Sequence, residues 1–154
     1  MPEIEPVRST QPVHVLIVED NPADVRWVTE VFREAGLRHF LSVVGNGEDA
    51  LQFLRCQGPY VAAGRPDLIL LDLNVPRRNG LEVLMEISID QRLRDIPLVV
   101  LTSSPVELPH LQSLFKLPAS RYLLKPLDWP KYLESIRGFD HLYVSVLTQT
   151  ASTQ

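Results

Sequence analysis

Short apolar runs recur along the chain, the first of them rich in β-branched residues, separated by stretches whose apolar positions fall three and four apart. The runs are "VHVLIV" (13–18), "HFLSVVG" (39–45), "DLILLD" (67–72), "IPLVVLT" (96–102) and "SRYLLKP" (120–126). Runs with almost no polar alternation suit strands buried on both faces, as in parallel sheets. Asn21 followed by Pro22 supplies an N-cap and a first-turn proline, and Val25, Val28, Val31 and Phe32 give a helix over 22–35 that Gly36 stops. A second helix opens at Asn46 or Gly47, carries Ala50, Leu51, Phe53 and Leu54, and ends near Gly58-Pro59, with "YVAAGRP" as a connecting loop. The third covers 80–88, with Leu81, Leu84, Met85 and Ser88 marking one face. A fourth lies within 103–117, entered or interrupted by Pro105 and Pro109, and Asp128 caps a last one. Strand and helix in alternation predict an α/β protein with a parallel sheet and right-handed crossovers.

Composition narrows this picture only slightly. The chain has 154 residues, enough for one domain with a real core, and 45% apolar with 22% charged residues is ordinary for a globular protein. We read 12–147 as one domain, with flexible tails at 1–11 and 148–154. The net charge of −4 and the absence of a basic stripe argue against direct DNA binding. One cysteine, Cys56, excludes an intramolecular disulfide, and it is expected to be half-buried on a helix. The four histidines stand at no metal-ligand spacing. No apolar run approaches the roughly 20 residues that span a bilayer, and "MPEIEPVRSTQP" has no hydrophobic leader. A cytoplasmic protein is expected.

The candidate chemistry sits where the strands end. In open parallel sheets ligands bind beyond the carboxyl ends of the strands. The first strand ends in Glu19-Asp20, the third in Asp72, the fourth in Thr102 and the fifth in Lys125. Three clustered carboxylates repel, so they need a partner. A hard divalent cation such as Mg²⁺ takes oxygen ligands of this kind. A cation alone would not call for Lys125 and Thr102, whereas a cation with a phosphoryl group would use both. Asp72 is then the nucleophile that forms an acyl phosphate.

The motifs "LIVEDNP", "LLDLNVPRRNG", "VVLTSS" and "YLLKP", with Asp20, Asp72, Thr102 and Lys125 separated by 52, 30 and 23 residues, resemble the receiver domain of two-component response regulators. The resemblance covers about residues 12–138. It implies a doubly wound, flavodoxin-like sheet of five parallel strands in the order 2-1-3-4-5, an order already known for this family. It implies Asp72 as phosphoacceptor and Asp20 as direct Mg²⁺ ligand, with Glu19 acting through water and Asn74 through its backbone carbonyl. Thr102 and Ser103 would stabilise the phosphoryl group, Ser103 being small as the pocket requires. Lys125 would pair with it, and Tyr122 would turn inward as Thr102 moves. Glu19, where Asp is commoner, keeps the charge on a side chain one methylene longer. "DLNVPRRNGLEVL", "DQRLRDIP" and "LTSS" are further similar to stand-alone receivers that partner bacterial phytochromes.

The function expected is therefore a single-domain response regulator, not a classical enzyme, that takes a phosphoryl group from a sensor histidine kinase. Its output would run through the fourth helix, fifth strand and fifth helix, in a phosphorelay or onto a partner protein. A phosphatase of the haloacid-dehalogenase type needs a second acid where Asn74 stands, and a flavin site would meet repulsion from Glu19-Asp20. A phosphorylation-independent pseudo-receiver is the alternative, although such modules usually lose a site residue. Leu133, Ile136, Phe139, Leu142, Tyr143 and Val146 predict an extended C-terminal helix whose apolar stripe would support a homodimer.

Overall fold

The computed structural model describes residues 13–34, 39–75, 77, 79–102, 109, 113 and 122–124. In chain order these form β1 (Val13–Val18), α1 (Pro22–Glu34), β2 (His39–Val44), α2 (Gly47–Leu54), a 3₁₀ turn (Gly58–Tyr60), β3 (Leu68–Asp72), α3 (Gly80–Ile89), β4 (Leu98–Thr102) and β5 (Tyr122–Leu124). Every pairing is parallel, and the sheet order is β2-β1-β3-β4-β5. The order reverses between β1 and β3, so their carboxyl ends flank the crevice where such sheets place a ligand.

The runs of β1, β3 and β4 became strands because both faces of the sheet are covered there, whereas β2 at the edge leaves Phe40 and Val43 exposed, contrary to the expectation of two-sided burial. All of β3 and β4 is buried, and β1 is buried except at His14. Leu16, Val18, Ile69, Leu71, Leu98 and Val100 face a core completed by Ala50, Leu51 and Leu54 of α2 and by Val83, Leu84 and Ile87 of α3. Val15, Ile17, Leu70, Val99 and Leu101 are equally buried in the alternate positions, as period-two geometry requires of a two-sided sheet. Each fully buried Leu, Ile or Val side chain contributes roughly 1.5–3 kcal/mol relative to exposure.

Three asparagines start the described helices at the carboxyl end of the sheet. Asn21 Oδ1 accepts from the Ala23 N–H at 2.9 Å, Asn46 Oδ1 from Asp49 at 2.8 Å and Asn79 Oδ1 from Glu82 at 3.0 Å. These side chains satisfy amide donors that have no partner within the helix.

Two expectations need correction. The inner face of α3 is Gly80, Val83, Leu84 and Ile87, while Met85 and Ser88 are exposed. Leu81, Met85 and Ser88 share a helical period with Leu84, but the broad apolar arc of "GLEVLMEISI" left its centre undetermined, and contact with α2 and the sheet sets it at Val83-Leu84-Ile87. Cys56 is exposed, not half-buried, because α2 stops at Leu54 and Cys56 turns the chain in the left-handed region at φ 53°. The tails, the helix expected within 103–117 and the extended C-terminal helix lie outside the described residues.

Candidate functional site

Two strand ends bring three carboxylates together. Glu19 and Asp20 follow β1, Asp72 is the last residue of β3, and one oxygen from each lies within 4.8 Å of the others. Glu19 and Asp72 are buried at 4% and 3% exposure, while Asp20 faces solvent. Local backbone holds both buried groups: Glu19 Oε1 accepts from the Asn21 N–H at 3.1 Å, and Asp72 Oδ1 accepts from the Asn74 N–H at 2.9 Å. In each case an acid folds back on the amide two residues on, as an Asx turn at Asp72 and through the longer side chain at Glu19. Glu19 is anchored a second time, its N–H donating to the Val44 carbonyl of β2 at 2.9 Å.

An all-oxygen set of this charge and compactness fits a hard divalent cation, with room in its coordination sphere for water and a backbone carbonyl. The fit rests on the donors themselves. Carboxylates this close repel, and a divalent charge converts that repulsion into attraction.

Thr102 ends β4, is fully buried, and pairs in register with Leu124 of β5, one residue before Lys125. Asp72 pairs with Leu101, so Thr102 stands one step beyond Asp72 along the adjacent strand. The structure thus brings Glu19, Asp20, Asp72 and Thr102 to one rim. Asn74 follows Asp72 on the surface of the same turn. For Tyr122 only the backbone strand is described, and Ser103 and Lys125 lie outside the described residues.

Two residues whose backbone role the sequence did not signal support the rim. Gly80 opens α3 against the Asp72–Leu73 backbone, its N–H donating to the Leu73 carbonyl at 3.0 Å. A Cβ there would come within 2.3 Å of the Asp72 carbonyl oxygen. The "NG" at 79–80 marked a helix start, but nothing in sequence showed what the glycine would lie against. Arg77 sits in the left-handed region at φ 46°, and its carbonyl accepts from the Glu48 N–H in the first turn of α2 at 2.8 Å. A non-glycine residue held there costs on the order of 1 kcal/mol or more, sustained by a bond that ties the loop after β3 to a second helix.

A family model for the response regulator receiver domain matches residues 15–137. The chain is 38% identical to response regulator Rcp1 of Synechocystis sp. over 144 residues, 94% of this chain and 97% of Rcp1. The Mn²⁺-bound structure of Rcp1 aligns over 86% of this chain and 95% of that one, with a TM-score of 0.69. The bacteriophytochrome response regulator AtBRR is 32% identical, covers 82% of this chain and 91% of its own, and superposes with a TM-score of 0.75. The phosphorylated cyanobacterial phytochrome response regulator RcpA is 34% identical, at 0.69, over 88% of this chain and 95% of that one. Receiver domains bind a divalent metal, and the acidic rim described above is where this chain offers the donors. A parallel sheet in this order, an acidic crevice at its switch point and a family match along most of its length agree: the chain belongs to the response regulator receiver domain family and is homologous to phytochrome-associated regulators.

Proposed function

We propose that Asp72 accepts a phosphoryl group from the phosphohistidine of a sensor histidine kinase, and that the kinase is a bacterial phytochrome or a related sensor. The observation that carries this reading is the convergence of Glu19, Asp20 and Asp72 within 4.8 Å at the sheet's switch point. A carboxylate oxygen of Asp72 attacks phosphorus and forms the O–P bond. The P–N bond of the donor breaks, and its electron pair returns to the histidine ring. The Asn74 N–H on Oδ1 fixes the carboxylate rotamer before attack, so little reorganisation is needed.

Glu19, Asp20, Asp72 and the Asn74 backbone carbonyl would hold Mg²⁺. When bound, this ion neutralises negative charge on the phosphoryl oxygens. Thr102 and Ser103 would hydrogen-bond those oxygens and Lys125 would pair with them, Tyr122 following Thr102 inward. The same site would support autophosphorylation from small donors and autodephosphorylation. The reading extends to a cytoplasmic location and to output through protein contacts, a homodimer among them, without direct DNA binding. It includes a single receiver domain over 12–147.

The test is labelling by acetyl phosphate or phosphoramidate, with and without Mg²⁺, read by intact mass and gel filtration. The wild type gains one phosphoryl mass only with Mg²⁺, and Asp72→Asn gains none. A wild type that takes up neither a phosphoryl group nor BeF₃⁻ would mean a phosphorylation-independent interaction module instead.

A further inference from the structure

At the opposite end of the sheet, three segments enclose a cleft of about 490 Å³. The chain leaving α2 contributes Arg55 and Cys56, the approach to β3 contributes Arg65, and the turn after α3 contributes Asp90, Arg92 and Leu93. Helices run back against the strands, so this end lies below Leu68 while the carboxylate rim lies at Asp72. Roughly 13 Å of strand separates them at the usual rise.

The three guanidiniums are held differently. Arg55 is engaged, with Nη2 2.9 Å from Glu86 and Nε 3.7 Å from Asp90. Arg65 donates through Nη1 to the Arg92 carbonyl, which fastens one wall to the other. The Asp90 carboxylate also accepts from the Arg92 backbone N–H at 2.8 Å. The Arg65 and Arg92 side chains both line one concave site, and among the described residues neither has a carboxylate at ion-pair distance, so their forks can be offered to a phosphate dianion. The volume is far larger than one phosphate needs and falls within the range of about 300–1,000 Å³ typical of small-molecule sites.

We propose that this cleft binds a phosphorylated small molecule of mononucleotide size, its phosphate lodged between Arg65 and Arg92. The rest of the ligand lies along Leu93 and the Arg55 stem, with Asp90 and Gln57 as hydrogen-bonding groups. The receiver chemistry neither requires nor predicts such a site, because Asp72 and its neighbours lie at the other end of the strands.

Cys56 lines the same cleft, is exposed, and gives a direct readout. The full-length protein, free of divalent metal and phosphodonor, is treated with a disulfide reagent that releases a coloured thiolate on reaction with Cys56. AMP is expected to slow this reaction several-fold, while adenosine and inorganic phosphate have much weaker effects. The protection should disappear in Arg92→Gln, whose side chain makes no hydrogen bond with another described residue, and weaken in Arg65→Lys. It should be unchanged in Asp72→Asn. Circular dichroism establishes that each variant is folded, and titration calorimetry on the wild type gives an independent binding measurement. No protection and no heat with AMP overturns the proposal. So does equal protection by adenosine, which would place recognition outside the phosphate, and so does equal protection by inorganic phosphate, which would make the site one for the free ion. Protection lost in Asp72→Asn would put the ligand at the acidic rim and overturn it as well.

Discussion

A methyl group on Gly80 would sit 2.3 Å from the Asp72 carbonyl oxygen and 2.4 Å from Leu73 Cα, and both are backbone. Neither can rotate away as a side chain would. Gly80→Ala should therefore cost about 1–3 kcal/mol, in the range of overpacking in a close-packed interior, seen as a lower urea midpoint. The atoms displaced are the backbone of the proposed phosphoacceptor and of the residue after it, so labelling should slow more than in Ile87→Val. That buried variant costs about 0.5–1.5 kcal/mol without touching the rim. His14 supports a second prediction. Burial pushes its imidazole below the usual 6.5, outweighing the Asp67 carboxylate and the Arg65 carbonyl, which act the other way. The ring lies 2.9 Å from the Ser42 hydroxyl and packs on Phe40 and Phe53. A depressed histidine means the unfolded chain binds more protons, so its contribution is complete above 6.5 and is lost as pH falls through the lower folded value. The urea midpoint of the wild type should fall between about pH 7.5 and 5 more steeply than that of His14→Gln.

At the scale of elements, the asparagines that begin the helices matter more than their exposure suggests. Asn79→Ala removes the oxygen that accepts from the Glu82 N–H and should cost about 1 kcal/mol in chemical denaturation. Asn79→Ser should restore most of it, since a hydroxyl caps nearly as well. The central strands were legible in sequence because burial on both faces leaves an unbroken apolar signature, as in "LILLD". The phase of α3 was not, because a helix with apolar residues around most of its circumference has no single face until its neighbours are placed. Cys56 failed for a related reason: only the tertiary turn after Leu54 takes it off the helix.

Across the whole molecule, the rim assembles residues more than fifty positions apart, and Glu19, Asp20, Asp72 and Thr102 were all legible because each ends an apolar run. What sequence could not show was the backbone beneath them, the Gly80 contact and the Arg77 carbonyl. The burial of two of the three acids makes the fold itself sensitive to a divalent ion. A cation that binds only the folded chain stabilises it by about 2.7 kcal/mol at a hundredfold excess over Kd. Adding Mg²⁺ or Mn²⁺ should raise the melting temperature, EDTA should reverse this, and Asp20→Asn should abolish most of the response.

The 2.8 Å bond from the Glu48 N–H to the Arg77 carbonyl joins Arg77, in the loop beyond Asp72, to the start of α2. Arg77 is held in an unfavourable backbone conformation at the loop end of that bond, like a latch closed against a spring. Any rearrangement that displaces Arg77 must either drag the first turn of α2 with it or open the latch and release the strain. Arg77, five residues beyond Asp72, is thus tied to a helix that contributes no ligand, nucleophile or hydroxyl to the rim.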